Sequence, residues 1–188
     1  MITLRDLQAE DKAMLLTWRN LPDVARYMYT DHHITDPEHE RWFSGVFGDP
    51  TRRYWIIRAE GEDVGLVNLY SISDQNKRCH WAFYVANPNA RGKGVGTAVE
   101  YIVMKHVFEE RGFNKLCCEV LASNEPVVRH HLRCGFREEG RFRQHVIKDG
   151  QAIDVVALAI LVAEWQGIRR EIEARVQKML GHGGSESI

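Results

Sequence analysis

The pattern of apolar periods predicts an α+β (α/β) domain on one central mixed sheet, mostly antiparallel, of about seven strands flanked by helices. Three observations carry this. Three strand-like runs, Tyr54 to Ala59, Val64 to Tyr70 and Cys79 to Val85, follow one another across turn sequences, as in an antiparallel meander. Two helix-then-strand units come next, and such units place strands in parallel. Lys148-Asp149-Gly150-Gln151 then turns a last hairpin into Ile153 to Leu161.

Taken in order, Ile2 to Arg5 is a short strand, and Met14, Leu15 and Trp18 set a helix over Asp11 to Trp18. Pro22 turns its predecessor away from helix, so this one ends at Arg19-Asn20, and a second short helix is expected over Val24 to Tyr29. Thr35-Asp36-Pro37-Glu38 is a helix start, with a capping residue, proline in the first turn and acid near the positive end. That helix is expected to bury Trp42, Phe43 and Phe47 and to stop near Gly48-Asp49-Pro50. After the meander, Gly94 to about Glu110 is a helix with Val95, Val99, Ile102, Val103 and Val107 on one face, ended by Gly112. Lys115 to Val120 is a strand, Glu125 to Cys134 a helix, and Phe136 opens another strand. Residues 1–163 thus form one domain, 164–180 a charged terminal helix on or beyond it, and 181–188 a loose tail.

Composition excludes several functions. With 44% apolar and 27% charged residues, a formal charge of −1 and pI near 6.8, nothing draws the chain to nucleic acid or to an anionic membrane. Its longest apolar run, Val155 to Ala163, suits a buried strand rather than a membrane span. Met1 to Asp6 lacks an apolar signal region, so a cytoplasmic protein is expected. Cys79, Cys117, Cys118 and Cys134 make no C-x-x-C pair and read as reduced thiols. His32, His33 and His39 are the densest of nine histidines but lack a metal-ligand frame, so no metal is expected.

The chemistry is concentrated from Ala90 to Phe136. Arg91-Gly92-Lys93-Gly94-Val95-Gly96-Thr97 lies between a strand and a helix, where glycines admit the backbone to phosphate oxygens and first-turn N–H groups point at the ligand. It is not a Walker loop, because Gly96 is followed by Thr97. Nor is it a Rossmann fingerprint, because the third glycine is missing. Arg91, Gly94 and Gly96 make R-x-x-G-x-G, and Asn124, a short helix and Gly135-Phe136 follow in register. On these residues, from Val85 to Phe136, the chain resembles the GCN5-related N-acetyltransferases (GNAT). That resemblance implies splayed strands at an acetyl-CoA site, diphosphate on residues 91–97, pantetheine along Phe83, Tyr84 and Val85, and Asn124 holding the pantetheine arm. The cofactor is then acetyl-CoA, with no metal.

Amide formation from a thioester needs a neutral amine, donors for the oxyanion and a proton for the leaving thiolate. The family's usual acid, a tyrosine, falls at His131. A phenol near pKa 10 is protonated at neutral pH, whereas a free imidazole is only roughly a quarter protonated at pH 7. His131 therefore stands as the expected acid, with water as the alternative donor. Glu119 is the first choice of base, directly or through water, with His39 and His80 behind it and a salt-bridged strand carboxylate as the plain alternative.

Over most of the first 160 residues the chain resembles more specifically the bacterial pseudaminic acid acetyltransferases, the PseH family. The residues are Trp18 to Val24, Tyr27 to Thr30, Ile34, Glu38-His39 and Trp42-Phe43, together with Gly140-Arg141 and Lys148 to Val155. This implies acetylation of the 4-amino group of a UDP-linked amino-dideoxy sugar, in a pathway that decorates flagellin. Arg19, Tyr29, His39, Trp42, Asn68 and Trp81 are then expected to line the acceptor site through hydrogen bonds and ring stacking. The alternatives are a protein N-terminal or other small-amine acetyltransferase, and a non-catalytic acyl-CoA-binding module. The apolar run 155–163 and the terminal helix would serve either a homodimer or a closed monomer.

Overall fold

The computed structural model describes residues 1–181 of the 188. Seven strands form one sheet: β1 (Ile2–Asp6), β2 (Arg53–Ala59), β3 (Glu62–Ser73), β4 (Arg78–Val85), β5 (Lys115–Leu121), β6 (Arg137–Lys148) and β7 (Gln151–Leu161). Their spatial order is β1-β2-β3-β4-β5-β7-β6. Only β4 and β5 pair in parallel; the other neighbours are antiparallel. Both tight hairpins turn on a residue–glycine pair with positive φ, Glu60-Gly61 and Asp149-Gly150, which matches the twist of the strands they join.

Helices cover the two faces separately. On one face α4 (Val95–Lys105), α5 (Glu125–Arg133) and α6 (Val162–Gly181) enclose the main core, in which Val67, Leu69, Trp81, Leu116, Val156 and Ile160 meet Val99, Val103, Trp165 and Ile172. On the other, α1 (Lys12–Arg19) and α3 (Asp36–Ser44) close a smaller core of Leu15, Phe43, Tyr54, Ile56 and Leu66. The single-turn α2 (Pro22–Ala25) links these two helices to the loop that follows. All four cysteines are buried and free. Among the described residues no helix is long and apolar enough to cross a membrane.

Where the structure departs from the periodicity, a specific contact explains it. α2 stops at Ala25 instead of running to Tyr29, because the ammonium of Lys148 takes the carbonyls of Ala25, Met28 and Thr30 at 2.8–3.2 Å. Phe47 is 50% exposed and Val46 is buried in its place, since the helical register ends at Ser44. In α4 the buried stripe includes Met104 and, unexpectedly, Glu100, while Ile102 is half-buried. A π-helical turn over His106–Glu110 follows and puts both Val107 and Phe108 in the core. The tail expected over 181–188 falls outside the described residues apart from Gly181, the last residue of α6.

Trp165 anchors α6. It is 1% exposed, its ring lies 5.8 Å from Tyr101 and 6.2 Å from Phe108, and its indole N–H donates to Glu109. Trp165→Ala is expected to destabilise the domain by about 3–5 kcal/mol, read from the urea midpoint, because the cavity cannot collapse between helix and sheet.

Candidate active site

β4 and β5 pair over only three rungs, Arg78–Lys115, Cys79–Leu116 and His80–Cys117. Beyond His80 the two strands part, while β5 stays paired to β7 as far as Leu121. The edge of β4 from Trp81 to Val85 therefore faces a wedge with no strand in it. Its backbone groups on that edge are free to pair with an extended ligand. Phe83, Tyr84 and Val85 lie along this edge. Arg91 closes its far end: Nε and Nη2 donate to the Val85 carbonyl at 3.0 and 2.9 Å, and Nη1 reaches Asp23 at 2.9 Å. Arg91 is thus committed to shaping the loop, and Lys93, which is exposed, is the cation the loop presents.

The loop itself holds Gly92 and Gly94 at φ of 75° and 79°, a region that glycine enters without strain. Gly94 caps α4, and Ala98 N–H is bonded to its carbonyl, so the N–H groups of Val95, Gly96 and Thr97 have no acceptor within the helix. Val95 and Thr97 are themselves buried and fix the first turn. The last turn of α6 lies against this loop: a Cβ on Gly94 would stand 3.0 Å from Met179 Cβ.

His131 sits under the fork, on the main-core face. It is 3% exposed, set edge-on to Trp81 and Phe83 at 5.5 and 6.4 Å and tilted against Phe136 at 5.3 Å. Its Nδ1 is 2.8 Å from Oε1 of Glu100, which is wholly buried. His130 Nε2 lies 2.7 Å from the other carboxylate oxygen, off the hydrogen-bond direction. Burial alone would push the Glu100 carboxyl up; the imidazoles of His131 and His130 outweigh it and hold the group below the usual carboxylate range. Asn124 is buried and caps α5, its carbonyl accepting from Val127 and Val128. Sequence reasoning missed Glu100. The available signal was a carboxylate on the otherwise apolar 99–103–107 side of α4.

The other face of the fork carries the acceptor candidates. Register puts Asn68 beside Ala82, Tyr70 beside His80 and Leu66 beside Tyr84, with Glu119 two residues past the last rung. Tyr29, 43% exposed, donates to Glu119 Oε2 at 2.7 Å and so hangs the loop after α2 over this face. Burial, then that hydrogen bond, pushes the Tyr29 phenol up. Burial pushes the His80 imidazole down, and its Nδ1 is buried without a partner. Arg19 donates through Nη2 to Thr30 at 3.2 Å, while its Nη1 is buried with no partner, as is the Tyr84 hydroxyl. Burial pushes the Arg19 guanidinium down and the Tyr84 phenol up.

Three expected acceptor residues are placed elsewhere. Trp81 is 1% exposed and stacked on Phe83 at 5.2 Å, on the main-core side, with no ring face open to a sugar. His39 is buried and its Nε2 is bonded to the Lys12 carbonyl at 2.8 Å, tying α3 to α1, which removes it as base and as ligand. Trp42 is half-buried between His39, Phe43 and Tyr54 and packs the smaller core.

A family model described as the acetyltransferase (GNAT) domain matches residues 1–137. Spermidine N(1)-acetyltransferase of Escherichia coli K12 is 24% identical over 159 residues, covering 85% of each chain. Acetyltransferase PseH of Campylobacter jejuni is 26% identical over 124 residues, 66% of this chain and 75% of that one. The crystal structure of spermidine N-acetyltransferase from Vibrio cholerae with CoA and spermine superposes with a TM-score of 0.81 at 22% identity, covering 88% of this chain and 98% of that chain.

The depressed Glu100 carboxyl links stability to pH. Its contribution is fully present above the free carboxyl value of 4.5 and is lost as pH falls from there toward about 2. The stability difference between the wild type and Glu100→Gln, from urea melts at pH 7, 4.5 and 3, is therefore expected to shrink steadily below pH 4.5.

Proposed function

The chain belongs to the GNAT acetyltransferase family, and from that premise we propose that it acetylates the amino group of an anionic small molecule, a UDP-linked amino-dideoxy sugar. It is an N-acetyltransferase that uses acetyl-CoA. The observation that carries the finer reading is the unpaired, buried Nη1 of Arg19 beside the unpaired Tyr84 hydroxyl on the acceptor face. The Glu38 carboxylate acts on Arg19 without forming a salt bridge to it, so Nη1 keeps an unfilled hydrogen-bonding position, which a phosphate oxygen would fill. Such a cation repels a polyamine, so the likeness to spermidine enzymes supports the fold and the cofactor rather than their substrate. The resemblance of Trp18 to Val24, Tyr27 to Thr30 and Lys148 to Val155 to the PseH family is what suggests a sugar nucleotide.

In this reading the pantetheine arm lies in the wedge along β4 and the diphosphate rests on residues 91–97, with Asn124 beside the arm. The neutral amine attacks the thioester carbon from the Glu119 side. Its nitrogen forms the new C–N bond and releases a proton to Glu119, directly or through water. The oxyanion is received by backbone N–H groups on the open edge of β4. As the C–S bond breaks, His131 gives its Nε2 proton to the sulfur and CoA leaves as the thiol.

Thiol release from acetyl-CoA is expected with the UDP-4-amino sugar and not with spermidine or a peptide N-terminus. Turnover on spermidine or peptide alone would sink the acceptor assignment and leave the chemistry standing. Arg19→Ala should raise KM for the sugar nucleotide by about 10-fold or more while KM for acetyl-CoA holds. His131→Phe should lower kcat by about 10²–10⁴-fold with acetyl-CoA affinity retained, and an unchanged kcat across pH 6–9 would remove His131 from the mechanism.

A further inference from the structure

We propose that Glu100 is the positioning residue of a buried Glu100–His131 pair, fixing the imidazole so that Nε2 is the atom that carries the proton to the leaving sulfur. The proposal rests on His131 as the acid and names the group that makes it one. Glu100 is fully buried on α4, and the other residues of its stripe, Val103, Met104 and Val107, are apolar. An apolar side chain there would avoid several kcal/mol of desolvation. The fold instead surrounds the carboxylate with two imidazoles, His131 on Oε1 at 2.8 Å and His130 on Oε2 at 2.7 Å.

The chemistry of that contact is one-sided. An ionised carboxylate only accepts, so Nδ1 of His131 must carry a hydrogen, and Nε2 is left as the nitrogen that gains and loses a proton. Among the described residues, the titratable and charged groups around the pair are few. α5 brings His130 and Cys134, β5 brings Cys118, and α6 brings Arg175, which donates to the Arg133 carbonyl. β4 and the residue before β6 contribute only the rings of Trp81, Phe83 and Phe136. Glu100 is thus the one anion in contact with His131.

Glu100, His130 and Cys134 also bring ligand atoms within 4.8 Å of one another, which raises a metal as a rival explanation. The bond from His131 Nδ1 to Glu100 Oε1 stands without a cation, and chelation separates the two explanations.

The test combines kinetics with one spectroscopic reading. Glu100→Gln is expected to keep KM for acetyl-CoA within about 2-fold and to lower kcat by about 10–100-fold across the kcat profile. Added to His131→Phe, Glu100→Gln should cost nothing further in kcat, because it acts through the missing imidazole. Additive losses, or wild-type kcat in Glu100→Gln, would overturn the pairing; wild-type kcat in His131→Phe alone would instead overturn the acid role beneath it. Should Glu100→Gln not fold, ¹H–¹⁵N spectra of the wild-type imidazoles decide: Nδ1–H on neutral His131 is expected, and an Nε2–H tautomer defeats the proposal. The profile should also survive EDTA; activity lost to the chelator and restored by zinc would make the cluster a metal site.

Discussion

The parallel pairing of β4 with β5 ends after three rungs, and most of the site follows from that ending. A longer ladder would satisfy the β4 backbone from Trp81 onward and leave no place for an extended ligand. A shorter one would release β5, which also holds β7. The fork leaves backbone groups unpaired where water and ligand can reach them, which is the condition under which unpaired backbone polar groups cost little. Arg91 sets the far limit by occupying the Val85 carbonyl with two of its donors.

The sheet at the fork has two faces with different physics. On the main-core face the environment is dry, and among the described residues Glu100 is its one buried carboxylate, in company with two histidines. On the opposite face the groups are half-buried, and Arg19 Nη1, the Tyr84 hydroxyl and His80 Nδ1 are without partners. In the proposed reading proton delivery falls to the dry face and recognition to the half-open one, with the thioester in the wedge between them.

Local signals were legible in the sequence, and long-range ones were not. Arg91-Gly92-Lys93-Gly94, Asn124 and Gly135-Phe136 were legible as a loop, a helix cap and a turn because each acts through its own backbone neighbourhood. The two hairpin turns were legible for the same reason, and seven strands were counted correctly. What escaped depended on partners far along the chain. Glu100 meets His131 across 31 residues, and Lys148 stops α2 from 123 residues away. Trp81 and Tyr84 lie on one strand with opposite orientations. Strand periodicity separates them but does not say which side is core until the helices are placed. His39 looked like a ligand because a histidine beside aromatic residues has the same composition in a pocket and in a packed helix joint.

The segment from α2 to the loop after it is held to the rest of the molecule by a handful of polar ties: Asp23 to Arg91, three carbonyls to Lys148, Asp31 to the Asp149 amide and Tyr29 to Glu119. These anchor points lie on Arg91, β5 and the last hairpin, and a further tie runs from Arg19 at the end of α1 to Thr30. The segment is therefore a replaceable panel on a fixed chassis. Its sequence is free to drift between the ties without disturbing the fork or the phosphate loop. Enzymes of this architecture have a physical route to diverge in what they acetylate while remaining alike in how they do it.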